Sequence, residues 1–137
     1  SDGKANLHRG GVGVGIDLST GRTLAGIQKN RYIDNHPETG KPLRDRQIPH
    51  WQSIVEMAAK LGDKTGFGYL GVDIVLDREK GPLLLEINAR PGLSIQIANR
   101  EGLISRLEAI DAALPKLSGI GDKITFAREK FAVTNSC

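Results

Sequence analysis

Small and β-branched residues alternate near the start of the chain. Gly11 to Leu18, GVGVGIDL, reads as a strand that another group approaches closely. Ser19-Thr20-Gly21-Arg22 reads as a turn, and Thr23 to Lys29 as the returning strand of a hairpin. Asn30 to Pro49 loses all apolar period and carries Pro37, Gly40, Pro42 and Pro49. This predicts a long irregular segment, either a ligand-gating or substrate-contacting element or a plain surface loop. Trp51, Ile54, Val55, Ala58 and Leu61 then recur at helical spacing, with Gly62 near the end of the run. After Gly66 the period falls to two. Tyr69 to Leu76 and Leu83 to Ala89 read as strands joined by Asp77-Arg78-Glu79-Lys80-Gly81-Pro82, with Pro91-Gly92 closing the second. Helical spacing returns over Ser94–Asn99 and Leu103–Leu114, and the tail from Pro115 holds a candidate short strand, Ile124 to Val133.

The second hairpin sorts its residues by chemistry. If Asp77 pairs with Pro82 around a four-residue connection, Val72 faces Ile87, Ile74 faces Leu85 and Leu76 faces Leu83. That aliphatic face is expected to pack on the core helices. The other face sets Asp73 opposite Glu86, with Asn88 on the same side. A slip of one residue would mix the two faces, so the pattern itself fixes the register.

Composition changes this picture little. The 137 residues are 39% hydrophobic and 26% charged, the profile of one soluble domain. No apolar run reaches the roughly 20 residues that cross a bilayer, and no secretory leader opens the chain. The single cysteine, Cys137, excludes an internal disulfide and a Cys-ligated zinc site, which favours a reducing, cytoplasmic setting. The net charge of +3 comes from interspersed charges. The densest basic stretch, Lys29 to Arg46, holds one aromatic residue, Tyr32, so the balance argues against nucleic acid. The glycines at 10, 11, 13 and 15 miss the spacing of a dinucleotide fingerprint, and no Walker pattern is present. The chain opens Ser1-Asp2-Gly3 without methionine, which predicts a piece of a longer protein or a processed product.

Two carboxylates facing each other on a hairpin repel unless a cation lies between them. Asp73, Glu86 and the Asn88 amide oxygen are hard ligands suited to Mg²⁺ or Mn²⁺, and three side chains leave positions for phosphate oxygens and water. The plainer reading is a solvated face neutralised by Arg78, Lys80 or Arg90.

These residues resemble a family. Asp73, the thirteen-residue step to Glu86, and the string Glu86-Ile87-Asn88-Ala89-Arg90-Pro91-Gly92 are similar to the metal-binding end of ATP-grasp ligases. The opening Lys4-Ala5-Asn6-Leu7-His8-Arg9-Gly10-Gly11 resembles the segment that enters the same active site in the α-L-glutamate ligase-like branch, relatives of the ribosomal-protein glutamate ligase. The resemblance covers roughly residues 3–113. It implies that Asp73, Glu86 and Asn88 hold the magnesium ions on the ATP phosphates. It also implies a catalytic arginine at Arg9 beside the transferred phosphate, and a polar contact from Asn6. Arg90 departs from the small residue of that string, and either holds a substrate carboxylate or pairs with Glu86. His8 reads as structural or exposed rather than catalytic.

The resemblance further implies an α/β (α+β) fold, with a mixed, mostly antiparallel sheet covered by helices on one face. Residues 1–114 would form the C-terminal lobe of an ATP-grasp domain, and 115–137 a tail. The implied reaction joins an amino-acid or peptide carboxylate to an amine through an acyl phosphate, with ATP as co-substrate and possible addition of glutamate. Such a site needs no side-chain nucleophile, in keeping with the lack of a Ser-His-Asp or Cys-His set. The adenine pocket and phosphate-gripping lysines of the family belong to an earlier lobe, so this chain alone is expected to be inactive and to partner that lobe or a second chain. The alternatives are an ATP-grasp enzyme of another, sugar-transfer associated branch, or a non-catalytic interaction module.

Overall fold

The computed structural model describes residues 10–93, 96, 98 and 102–133. In chain order the elements are β1 (Gly13–Ile16), β2 (Thr23–Gln28), β3 (Arg31–Ile33), α1 (Trp51–Thr65), β4 (Gly71–Asp77), β5 (Gly81–Asn88), α2 (Leu103–Ala113), a 3₁₀ turn (Leu114–Lys116) and α3 (Ile120–Lys130). The architecture is α+β with antiparallel strands, as the sequence predicts. Among the described residues the strands divide between two sheets, β1-β2-β3 and β4-β5, instead of joining in one.

The first sheet is built around residues with little or no side chain. Gly11, Gly13 and Gly15 are buried, and so are Ala25, Gly26 and Ile27 on β2. Leu43 occupies the space where a Cβ on Gly26 would lie. The segment after β3 thus approaches β2 closely at Gly26, a glycine outside the Gly11–Gly15 alternation.

That segment is irregular only in part. Lys29 and Asn30 both take positive φ, 46° and 64°, and turn the chain in two residues from β2 into β3. Positive φ at both central positions is the hairpin geometry that matches strand twist. Beyond β3, Leu43 N–H donates to the Asp34 carbonyl at 2.8 Å and His36 N–H to the Lys41 carbonyl at 2.8 Å, around Gly40 at φ 65°. The chain then runs back beside the start of β2. Thr23 N–H donates to the Arg46 carbonyl, Asp45 N–H to the Thr23 carbonyl and Ile48 N–H to the Gly21 carbonyl. The expectation of a long irregular segment over 30–49 is corrected at β3; the rest is turns and isolated bridges held by these backbone bonds.

Helix α1 starts on this sheet. The Trp51 ring fills the space where a Cβ on Gly21 would lie, and its indole N–H donates to the Leu18 carbonyl at 3.1 Å. Gly21 has φ +72°, which favours glycine independently of the packing. The helix ends at Gly66, again in the left-handed region, whose N–H donates to the Gly62 carbonyl.

The candidate strand over Ile124 to Val133 is corrected to helix α3. Asp122, in the first turn, accepts from both the N–H and the hydroxyl of Ser118, the residue before the Gly119 N-cap. Lys123 pairs with Asp63 on α1, Phe126 meets Phe131 edge-on at 5.9 Å, and the Arg106 guanidinium of α2 lies 5.3 Å from the Phe131 ring. Gln96 and Ala98 are the only described residues of the helical stretch expected at Ser94–Asn99, so that expectation lies largely outside the described residues.

Candidate functional site

The β4–β5 hairpin closes more tightly than a four-residue connection would allow. Asp77 pairs with Gly81, and Arg78-Glu79-Lys80 form the loop. Gly81 takes φ +75°, and the Asp77 carboxylate accepts from the N–H groups of Glu79 and Lys80, each at 2.9 Å. The Lys80 and then the Glu79 backbone bond hold the Asp77 carboxyl below its ordinary range. Asp77 is thus committed to the loop.

Shortening the loop by one residue moves the first part of the register. Leu76 pairs with Pro82, Val75 with Leu83 and Ile74 with Leu84. The register then shifts, and Asp73 meets Glu86, Val72 meets Ile87 and Gly71 meets Asn88. Leu85 is the extra residue of a β-bulge. The bulge restores the pairing that the sequence predicts at the Asp73 end while breaking the aliphatic face predicted at the loop end.

The expectation of a buried aliphatic face is corrected accordingly. Of that face Leu76, Leu83 and Leu85 are exposed, Leu85 at 65%, while Val72, Ile74 and Ile87 are half-buried. None of the described helices packs extensively along this hairpin.

At the site end, the pleat puts Asp73, Glu86 and Asn88 on one face. Asp73 and Glu86 are exposed and Asn88 is half-buried. Ion pairs elsewhere join Arg22 to Asp45, Arg44 to Asp34 and Lys123 to Asp63. Among the described residues none joins Asp73 or Glu86 to Arg78, Lys80 or Arg90, so these three cations do not pair with the two acids. Arg90 is exposed, and the alternative in which it pairs with Glu86 is not formed.

Asn88 is seated by its neighbours. A Cβ placed on Gly71, directly across the ladder, would lie 2.7 Å from Pro91 Cβ and 3.6 Å from Asn88 Cβ. Pro91 therefore packs into the gap left by Gly71, and the chain end of β5 is held by that contact.

No cluster of three or more His, Cys, Asp or Glu side chains gathers among the described residues. The donor set here is two carboxylates and one amide, and facing like charges with no counter-ion among the described residues fit a hard divalent cation. Asn6, His8 and Arg9 lie outside the described residues. Among the described residues no helix is long and apolar enough to cross a membrane.

One buried acid escapes the sequence reading. Asp17 is 9% exposed and accepts from the Ser19 N–H, the Ser19 and Thr20 hydroxyls and the Val133 N–H. The available signal was an Asp followed at two and three residues by Ser and Thr, the pattern of a side-chain-closed turn.

Residues 1–112 match the family model described as Sugar-transfer associated ATP-grasp. No curated protein and no solved structure gives a significant match.

Proposed function

Because the chain belongs to the sugar-transfer associated ATP-grasp family, we propose that it supplies the metal- and phosphate-binding lobe of an ATP-dependent carboxylate–amine ligase. The observation that carries this reading is the pair Asp73 and Glu86, opposite on β4–β5 and, among the described residues, joined to no cation. ATP-dependent, ligase-type chemistry follows from the family. The residue assignments and the bond formed are the proposal.

Asp73, Glu86 and Asn88 would hold Mg²⁺ or Mn²⁺ on the ATP phosphates, and the metal supplies charge neutralisation on the γ-phosphate. Arg9 sets a fixed guanidinium against the charge that builds on the transferred phosphoryl group, and Asn6 contributes a polar contact beside it. Arg90, exposed and unpaired with Glu86, is left to hold the carboxylate substrate. The carboxylate oxygen attacks the γ-phosphorus and ADP leaves. An amine then attacks the acyl carbon, phosphate departs and the amine proton is lost to solvent.

The acceptor is drawn from a sugar-transfer setting, the branch that the family description names. Glutamate as the added group rests on the Lys4 to Gly11 resemblance alone. A cytoplasmic location is part of the same proposal, resting on the ATP requirement and the lone cysteine.

Hydroxylamine tests the chemistry, since it replaces the amine and traps an acyl phosphate as a hydroxamate. The assay is run on this chain and on the product of its whole reading frame, with Mg²⁺-ATP and a panel of carboxylates. The expected result is hydroxamate from the longer protein, abolished by Asp73→Asn or Arg9→Ala, beside a silent 137-residue chain. Hydroxamate that survives Asp73→Asn unchanged overturns the assignment.

A further inference from the structure

The β1–β2 turn closes on a carboxylate. Among the described residues the hydrogen bonds to the Asp17 carboxylate come from neutral donors: Ser19 N–H at 3.0 Å, Ser19 Oγ at 2.9 Å, Thr20 Oγ1 at 2.7 Å and Val133 N–H at 3.3 Å. Beside it opens a cavity of about 540 Å³, within the range of small-molecule sites. Its polar wall is formed by Asp17, Ser19, Thr20, Arg22, Arg44 and Asp45. None of these belongs to the Asp73–Glu86 site.

The charges of this wall are interleaved and sum to zero. Arg22 Nη1 donates to Asp45 Oδ1 at 2.7 Å and to the Asp45 carbonyl at 3.1 Å, while Arg44 Nε donates to Asp34 at 3.1 Å. These bonds use one nitrogen of each guanidinium, and each guanidinium carries five N–H donors. The Ser19 and Thr20 hydroxyls donate to Asp17, and Thr20 Oγ1 also accepts from the Arg22 N–H at 3.2 Å, which leaves Ser19 Oγ as the freer acceptor.

Such a wall selects against simple ions. A free anion would face the Asp17 carboxylate, and a free cation would face two guanidiniums. A hydroxyl donates and accepts at once, so a ligand with several hydroxyls engages both kinds of group without breaking either ion pair. We propose that this cavity binds a neutral polyhydroxylated small molecule of the monosaccharide class. The inference stands apart from the ligase reading and survives its failure.

Amide chemical shifts of the ¹⁵N-labelled chain test it, with D-glucose, D-galactose and myo-inositol as probes and inorganic phosphate and glycine as charged comparators. At least one polyol is expected to give saturable shifts confined to residues 17–24, 44–45 and 133. Arg44→Ala is expected to weaken that binding about tenfold or more, the loss of a charge-assisted hydrogen bond. Arg44 is 54% exposed, so the variant should keep its fold, and an unchanged spectrum away from the cavity verifies this. Arg44→Lys keeps the charge and loses the fork, and should weaken binding nearly as much. Three results overturn the proposal: no saturable shift with any polyol, binding by phosphate or glycine alone, or polyol binding indifferent to Arg44→Ala in a folded variant.

Discussion

Asp73 on β4 lies directly opposite Glu86 on β5, in the last pair before Leu85 bulges out of the ladder. The bulge decides the site. With the three-residue loop and no bulge, Asp73 would face Leu85 and the two acids would fall on opposite faces of the hairpin. In the metal-free protein this pairing of like charges opposes folding. Glu86→Gln is therefore expected to be neutral or stabilising by a few tenths of a kcal/mol. Urea denaturation in buffer without divalent ions measures it, and a clear loss of stability would contradict the reading of an uncompensated acid pair.

Gly71 tests how the site end of the hairpin is held. Gly71→Ala pushes a methyl group to within 2.7 Å of Pro91 Cβ, a contact that real Cβ atoms essentially never make. The substitution is expected to cost about 1–3 kcal/mol as overpacking, and to shift the Asn88 amide in NMR spectra. An alanine accepted without cost would show that Pro91 does not need that gap.

Leu85 and Ile27 separate the exposed hairpin from the core. Leu85 is 65% exposed on the bulge, so Leu85→Ala is expected to change stability by no more than about 0.5 kcal/mol. Ile27 is 2% exposed, and Ile27→Ala is expected to cost about 2–5 kcal/mol. The two variants are compared in one denaturation series, and a reversed order would place the core in the hairpin.

How much of this was legible depends on how local the signal is. The period of 3.6 over Trp51 to Leu61 gave α1, and the alternation around Asp73 and Glu86 gave the facing pair. Leu83-Leu84-Leu85 are chemically alike, so no alternation marks which of them is the extra residue, and the bulge was invisible. Strand β3 was missed because it is three residues long and its turn, Lys29-Asn30, carries no glycine to announce positive φ. In α3 the residues from Ile124 to Val133 carry no strong period. The helix is set instead by the Ser118–Asp122 bond across its first turn, the Phe126–Phe131 contact and Lys123 on Asp63. The Asp73 and Glu86–Gly92 string pointed to the ATP-grasp superfamily, which the family match bears out; the match is to the sugar-transfer associated family weighed as the alternative and does not confirm the glutamate ligase-like branch read from the opening block.

Asp17 predicts a pH dependence. Burial raises its carboxyl, but the bonds from Thr20, Ser19 and Val133 outweigh burial and hold it below its ordinary value of 3.8. A depressed carboxylate contributes stability that is complete above the unfolded value and is lost as pH falls through the folded one. Wild type should therefore exceed Asp17→Asn in melting temperature at neutral pH, and the gap should shrink as the pH drops below the ordinary carboxylate range. A gap that stays constant with pH would mean that the charge of Asp17 contributes nothing.

The central claim is that Asp73, Glu86 and Asn88 form one divalent-cation site. Titration of Mn²⁺, followed by the loss of its free-ion paramagnetic resonance signal, tests this on the chain itself. Binding in the millimolar range is expected, because three ligands without phosphate leave the coordination shell incomplete, and it should weaken as pH falls and the carboxylates protonate. The Asp73→Asn, Glu86→Gln double variant should lose it, and adding ATP should tighten it in the wild type alone. Superimposable curves for the wild type and the double variant would contradict the account.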